Sequence, residues 1–374
     1  MATVKHVQAK GPEGRVRIEE GVGAGRNTVP GRLRGEGRRD FGSMLTHPVT
    51  GPLAFLVLIS VIMSVTSSGF LTVQNWYSML NQAVFIVILG VGMTVVLISG
   101  GVDLSVGSIL ALCGGVAAAL LAGGTPMVVA FVAALALGTG LGIINGLVIT
   151  KLGIPDFVAT LAMLGVARGA LYVWTQAQPI LNYTNDAYNT IAGLNRVIWY
   201  ITVPVLIAII VAVVVAGMLR WTLFGRHVYG VGSNSEAAKL SGINVARVKI
   251  AAYALSGFLA AGTGILLAGR LTEVQPDMGT NYELTAIAAA VMGGAALSGG
   301  RGSVFGACVG AVVLTVIQSA INILNLDPNW VTLVVGVLIL LAVMLQRGGV
   351  VFAARHQRSA LALQQSQRGG SGAG

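Results

Sequence analysis

Apolar runs long enough to cross a membrane recur along almost the whole chain, and nothing else limits its folding so sharply. A hydrocarbon core about 30 Å thick takes about 20 apolar residues in helical form. Ten apolar segments stand out, at 52–67, 83–99, 104–121, 127–149, 157–174, 201–219, 250–268, 283–297, 303–324 and 330–345. The eighth is short for a full crossing, and interrupted backbone at that depth survives only where protein or a water-filled cavity covers it. Charged residues are 10% of the chain and hydrophobic ones 55%, whereas soluble domains carry about 25% charge. The expected fold is all-α: a polytopic membrane protein of about ten transmembrane helices, some broken or short.

The distribution of positive charge orients those helices. Residues 1–47 hold nine Lys and Arg among many glycines and no apolar run, which predicts a disordered basic tail with no cleaved signal peptide. The membrane domain spans 48–347, and a second disordered tail is expected at 348–374. With ten crossings and the N-terminus inside, only Arg168, Arg196 and Arg270 of the 23 Lys and Arg residues fall within spans or outside. That asymmetry predicts a multi-pass protein of the inner (plasma) membrane with both termini cytoplasmic. The net charge of +10 sits in flanks and loops, so it signals membrane lipid contact or orientation and no nucleic acid. Cys113 and Cys308 lie in apolar spans without metal-ligand spacing and are expected as small buried hydrophobes.

Two short stretches echo one another. Residues 98–107 read ISGGVDLSVG and residues 297–306 read LSGGRGSVFG. Each lies between a span running inward and one running outward, which predicts two parallel-related halves.

Familiar catalytic chemistry is missing from the sequence. It has no G-x-x-x-x-G-K-[ST] phosphate loop, no HExxH and no GxSxG, so no catalytic residues, bound metal or cofactor are expected of this chain. A carrier driven by an ion gradient would be expected to bury carboxylates in its spans. Only Asp103 and Glu283 come near, both at expected helix starts, where capping or the helix dipole accounts for an acid.

The loop 225–245, GRHVYGVGSNSEAAKLSGINV, is a polar, basic island between two long apolar runs. Ser233 and Glu236 have the S-x-x-E spacing of a capping box, and Gly242 fits the left-handed residue that ends a helix. A short helix over about 234–241 is therefore expected outside the bilayer. An ordinary interfacial helix would satisfy the same local pattern.

The segment GRHVYGVGSNSEAAKLSGINVARVKI resembles the cytoplasmic coupling region of ATP-binding-cassette importer permeases of the ribose/xylose/galactose type. GGVDLSVGSILAL, TLAMLGVARG, YELTAIAAAVMGGAALSGGRGSVFGA and INILNL resemble further stretches of that monosaccharide family, in order, over residues 52–346. The resemblance implies that Ser233, Asn234, Glu236, Ala237, Ala238 and Gly242 form a coupling helix docked on a separate ATPase subunit, with Arg226 and Lys239 as contacts. It also implies a second permease copy in a homodimer, a periplasmic sugar-binding protein, and ATP with magnesium on the partner ATPase alone. Candidates for the translocation pathway are Gly100, Gly101, Gly293, Gly294, Gly299 and Gly300, which permit close backbone approach. Asp103, Asn145, Glu283 and Asn322 join them, and Asn281 and Gln318 are further polar side chains near the spans. Helix packing is the competing role for each. Arg168, about 18 Å along its helix from Asp156, either snorkels outward or pairs inside the bundle. Tyr172 and Trp174 read as interfacial anchors.

Where family members usually carry an acid and a Thr-Ser pair, this chain has Thr285, Ala295 and Ala296. The identity of the sugar, a pentose, hexose or polyol, therefore stays open. A branched-chain amino acid or nucleoside permease, and an autonomous secondary carrier, remain alternatives.

Overall fold

A computed structural model describes residues 50–183, 186–194, 196–198 and 201–344. The tails expected at 1–47 and 348–374 lie outside the described residues. Thirteen helices occur among those described: α1 (Thr50–Thr66), α2 (Val73–Ile98), α3 (Val106–Ala122), α4 (Met127–Lys151), α5 (Asp156–Thr175), α6 (Asp186–Ala192), α7 (Val203–Trp221), α8 (Leu223–Ser233), α9 (Ser235–Leu240), α10 (Val245–Leu271), α11 (Tyr282–Met292), α12 (Val304–Ile323) and α13 (Trp330–Met344). A two-stranded antiparallel ribbon, Arg196–Ile198 with Ile201–Thr202, leads into α7.

Every apolar segment of the sequence carries a helix, but the helices differ in reach. Six are long and apolar enough to cross a membrane, namely α2, α4, α5, α7, α10 and α12. The other four, α1, α3, α11 and α13, are shorter. At 1.5 Å per residue, the eleven residues of α11 span only about 16 Å.

Packing sorts the long helices into inner and outer sets. Within their most apolar windows, α2 is 89% buried, α12 78% and α10 67%, against 22% for α4 and 28% for α5 and α7. Helix α2 is the shared centre. On one side α10 packs against α3 and α4, with α5 covering α3; on the other, α11 and α12 lie against α2, and α1 lies against α12. Lipid tails are as apolar as leucine, so close approach, and not water exclusion, binds such helices together. Gly138, Gly142 and Gly146 supply it on α4. A Cβ at Gly142 would overlap the Tyr253 carbonyl of α10, and one at Gly146 would stand 2.6 Å from the Ile250 Cα.

Helix α2 starts well before the apolar segment at 83–99, because its polar first turns are satisfied by neighbours. Ser319 donates to Asn75, Thr202 to Asn81 and Gln82 to Gln318, at 2.8, 2.6 and 2.8 Å. Gln318 is therefore a packing residue.

Candidate functional site

The short helix of the polar island is present as α9, but its start differs from the capping-box expectation. Ser233 is the last residue of the preceding helix α8, and Asn234 is the cap. Asn234 Oδ1 accepts the backbone N–H groups of Glu236 and Ala237 at 3.0 and 2.9 Å. Asparagine outcompetes serine here because its reach matches the extended backbone at that position. The helix ends as the sequence predicts. Gly242 has φ +83°; its N–H donates to the Lys239 carbonyl, and that of Ile243 donates to the Ala238 carbonyl, both at 3.0 Å. This paired closure is a Schellman motif.

Ser235, Glu236, Ala237, Lys239 and Leu240 of α9 are exposed, while Ala238 is buried beneath. Leu240 is 90% exposed, a large apolar side chain on an otherwise polar tip. Arg226 stands apart from this surface, on α8, facing a groove.

Helix α8 joins α9 to the bundle; its glycines and basic residues mask an apolar stripe, Phe224, Val228 and Val231 at helical spacing, of which Val228 and Val231 are buried. Thr222 caps it by accepting from the Gly225 N–H. At its far end the Tyr229 hydroxyl donates to the Gly302 carbonyl at 2.8 Å. Burial pushes that hydroxyl above the usual phenol range, so it remains a protonated donor.

Gly232, in the last turn of α8, sits where both echoed turns converge. A Cβ there would overlap the Ile98 carbonyl oxygen and stand 2.6 Å from the Gly300 nitrogen. The turns also touch each other directly. Gly300 donates its N–H to Ile98 at 2.9 Å, and a Cβ on Gly299 would lie 2.9 Å from the Gly100 Cα. Gly100, Gly299 and Gly300 all have positive φ, at +78°, +86° and +72°. Three chain segments thus meet backbone to backbone, one residue from the Ser233–Asn234 entry to α9.

Beyond Gly101 the chain runs non-helically to Ser105 before α3 begins, and its buried polar side chains are hydrogen-bonded. Asp103 is fully buried. Its Oδ1 accepts from the Ser105 N–H and hydroxyl at 3.0 and 2.5 Å, and its Oδ2 from the Ser256 hydroxyl of α10 at 2.8 Å. Asn145 of α4 donates to the Ser105 hydroxyl at 2.9 Å. The Val102 carbonyl accepts from Tyr253 and Thr160 at 3.1 and 3.3 Å. Asp103 and Asn145 are therefore structural ties among α3, α4 and α10. Gly101 makes room for this knot, since a Cβ would fall 2.5 Å from the Tyr253 hydroxyl and 2.7 Å from an Asp156 carboxylate oxygen. Asp156 in turn pairs with Lys249 at 3.3 Å.

Glu283 belongs to a second cluster, at the start of α11. Arg168 pairs inside the bundle: its guanidinium donates to the carbonyls of Pro276 and Met278, both at 2.7 Å, and to that of Gly107 at 3.5 Å. Glu283 comes to the same glycine, with Oε2 lying 2.5 Å from where a Gly107 Cβ would stand. Thr280 and Asn281 beside it are exposed. Gly293 and Gly294 close the other end of α11, and a Cβ at Gly293 would overlap Gly306 at the start of α12. Asn322 is exposed near the far end of α12 and joins neither cluster.

Residues 75–343 match the family of branched-chain amino acid transport system / permease components, and the chain belongs to it. The ribose import permease of Escherichia coli K12 is 39% identical over 310 residues, covering 82% of this chain and 96% of that protein. The ribose import permease of Bacillus subtilis is 38% identical, covering 79% and 92%. The fructose import permease of Rhizobium meliloti is 32% identical, covering 81% and 86%. No solved structure matches.

Proposed function

We propose that this chain is the membrane-spanning permease of an ATP-binding-cassette importer, carrying a monosaccharide from periplasm to cytoplasm. The carrying observation is the joint at Gly232, which binds the base of an exposed capped helix to two turns of the bundle. The sugar class comes from the relatives, whose names specify ribose and fructose import. Force delivered to α9 by a separate ATPase passes through α8, because the missing Cβ groups leave backbone on backbone and no side chain to yield. Glu236, Ala237, Lys239 and Leu240 form the surface that the ATPase grips, and ATP with its magnesium resides there and not on this chain.

The substrate route follows the second cluster. Arg168, Thr280, Asn281 and Glu283 present donors and acceptors beside a helix interrupted at depth, the arrangement from which transporters build midplane sites. Four short helices, α1, α3, α11 and α13, complete ten crossings with their connecting turns, and the echoed turns relate two parallel halves. The outer faces of α4, α5 and α7 are left for lipid and for a second copy. A periplasmic binding protein delivers the sugar, and both termini lie in the cytosol.

Reconstitution with its cognate ATPase and binding protein tests the reading. Liposomes should accumulate labelled ribose, xylose or fructose only with ATP, and should not accumulate leucine. ATP-independent, gradient-driven uptake by this chain alone would overturn it.

A further inference from the structure

A cavity of about 630 Å³ opens between the end of α7, helix α8 and the first turn of α12. Its wall is divided by chemistry. Ala216, Leu219, Val304 and Phe305 are apolar, whereas Arg220 and Arg226 bring two guanidinium groups to the same space. Both arginines are exposed, and neither guanidinium group makes a hydrogen bond or ion pair among the described residues. The other polar groups at the rim do not neutralise them: the Tyr229 hydroxyl is committed to Gly302, and Ser303 accepts from the Gly306 N–H. Among the described residues, no carboxylate lines the cavity. Two unpaired cations beside the positive end of a helix make a place for an anion.

The surroundings say which kind of anion. By helical spacing, Ile209 and Val213 share a face of α7 with the cavity-lining Ala216 and Arg220, and Val312 shares a face of α12 with Phe305; Ile209, Val213, Phe305 and Val312 are exposed and apolar. Trp221, at the end of α7, is 75% exposed, in the manner of aromatic side chains that mark the edge of a bilayer. A ligand filling both regions has an anionic head and a hydrocarbon tail. We propose that Arg220 and Arg226 hold the phosphodiester of an anionic phospholipid, with its acyl chain laid along α7 and α12. The site lies on the cytosolic side if the proposed orientation holds, but lipid retention does not depend on transport, so the two readings fail separately. Its occupant braces α8, the element that carries the Gly232 joint.

Native mass spectrometry of the full-length permease, released from nanodiscs of equal phosphatidylglycerol and phosphatidylcholine, reads the site. A single phosphatidylglycerol should be retained in preference to phosphatidylcholine. Retention should fall about tenfold or more in the double variant Arg220→Gln, Arg226→Gln, and stay unchanged in Lys239→Gln on α9. Equal retention of the two lipids, or undiminished phosphatidylglycerol in the double variant, would overturn the proposal. Displacement by inorganic phosphate would instead mark a free-anion site. An Arg220→Cys variant shielded from maleimide only by the ATPase would mark a protein contact, which also overturns it. Should the double variant fail to fold, the lipid preference and the phosphate challenge on the unmodified chain still decide.

Discussion

Gly232 is the residue on which most depends, because its missing side chain is occupied by backbone from elsewhere. Packed sites tolerate added volume poorly, at about 1–3 kcal/mol for a forced shift, and here the obstacles are a carbonyl and an amide that cannot rotate away. Asp103 illustrates the opposite kind of constraint, a buried carboxyl group held by hydrogen bonds from Ser105 and Ser256. Replacing it with alanine leaves the hydroxyls of Ser105 and Ser256 without their acceptor, at about 1–3 kcal/mol for each orphaned group. Asp103→Ala should therefore lower the thermal midpoint of the purified protein by several degrees, while Glu273→Ala, on a partly exposed turn, should not. Equal midpoints in differential scanning fluorimetry would contradict the structural role assigned to Asp103.

Among the elements, α9 is defined by its ends. Asn234→Ala removes an acceptor shared by two backbone N–H groups and should cost about 1 kcal/mol of local helix stability. Gly242→Pro is harsher, because proline cannot adopt the positive φ and removes the N–H that donates to Lys239. Both variants should insert normally yet lose sugar-stimulated ATP hydrolysis, more completely for the proline; wild-type stimulation in both would contradict the assignment of α9. The helix was legible in the sequence because polar caps and left-handed glycines are local signals, although the S-x-x-E spacing pointed to Ser233 and the cap is Asn234. The apolar spans were legible by composition. Helix α8 was overlooked: Phe224, Val228 and Val231 recur at helical spacing, but the glycines and basic residues between them read as a loop, and the contacts of Tyr229 and Gly232 with residues near 98 and 300 have no local signature. The early turns of α2 were hidden for the same reason, their polar side chains being answered by Gln318, Ser319 and Thr202.

For the whole molecule, the arrangement makes α2 a common wall between two groups of helices, with the echoed turns meeting at one end of it. The glycines of those turns were visible in the sequence, but as candidates for the sugar route; the structure instead joins Gly100, Gly299 and Gly300 to the entry of α9. The route's own candidates, Arg168 and Glu283, stand 115 positions apart in sequence and are brought together only by folding. Orientation can be checked directly: a cysteine at position 235 should react with an impermeant maleimide in inside-out vesicles and not in intact cells, and the reverse pattern would invert the topology. The sharpest test of the central claim, that the joint conveys motion, is the number of sugars imported per ATP hydrolysed in liposomes carrying Gly232→Ala with its ATPase and binding protein. The account predicts continued hydrolysis with uptake per ATP reduced about tenfold, taking the shift as near 1.4 kcal/mol; an unchanged ratio would contradict it.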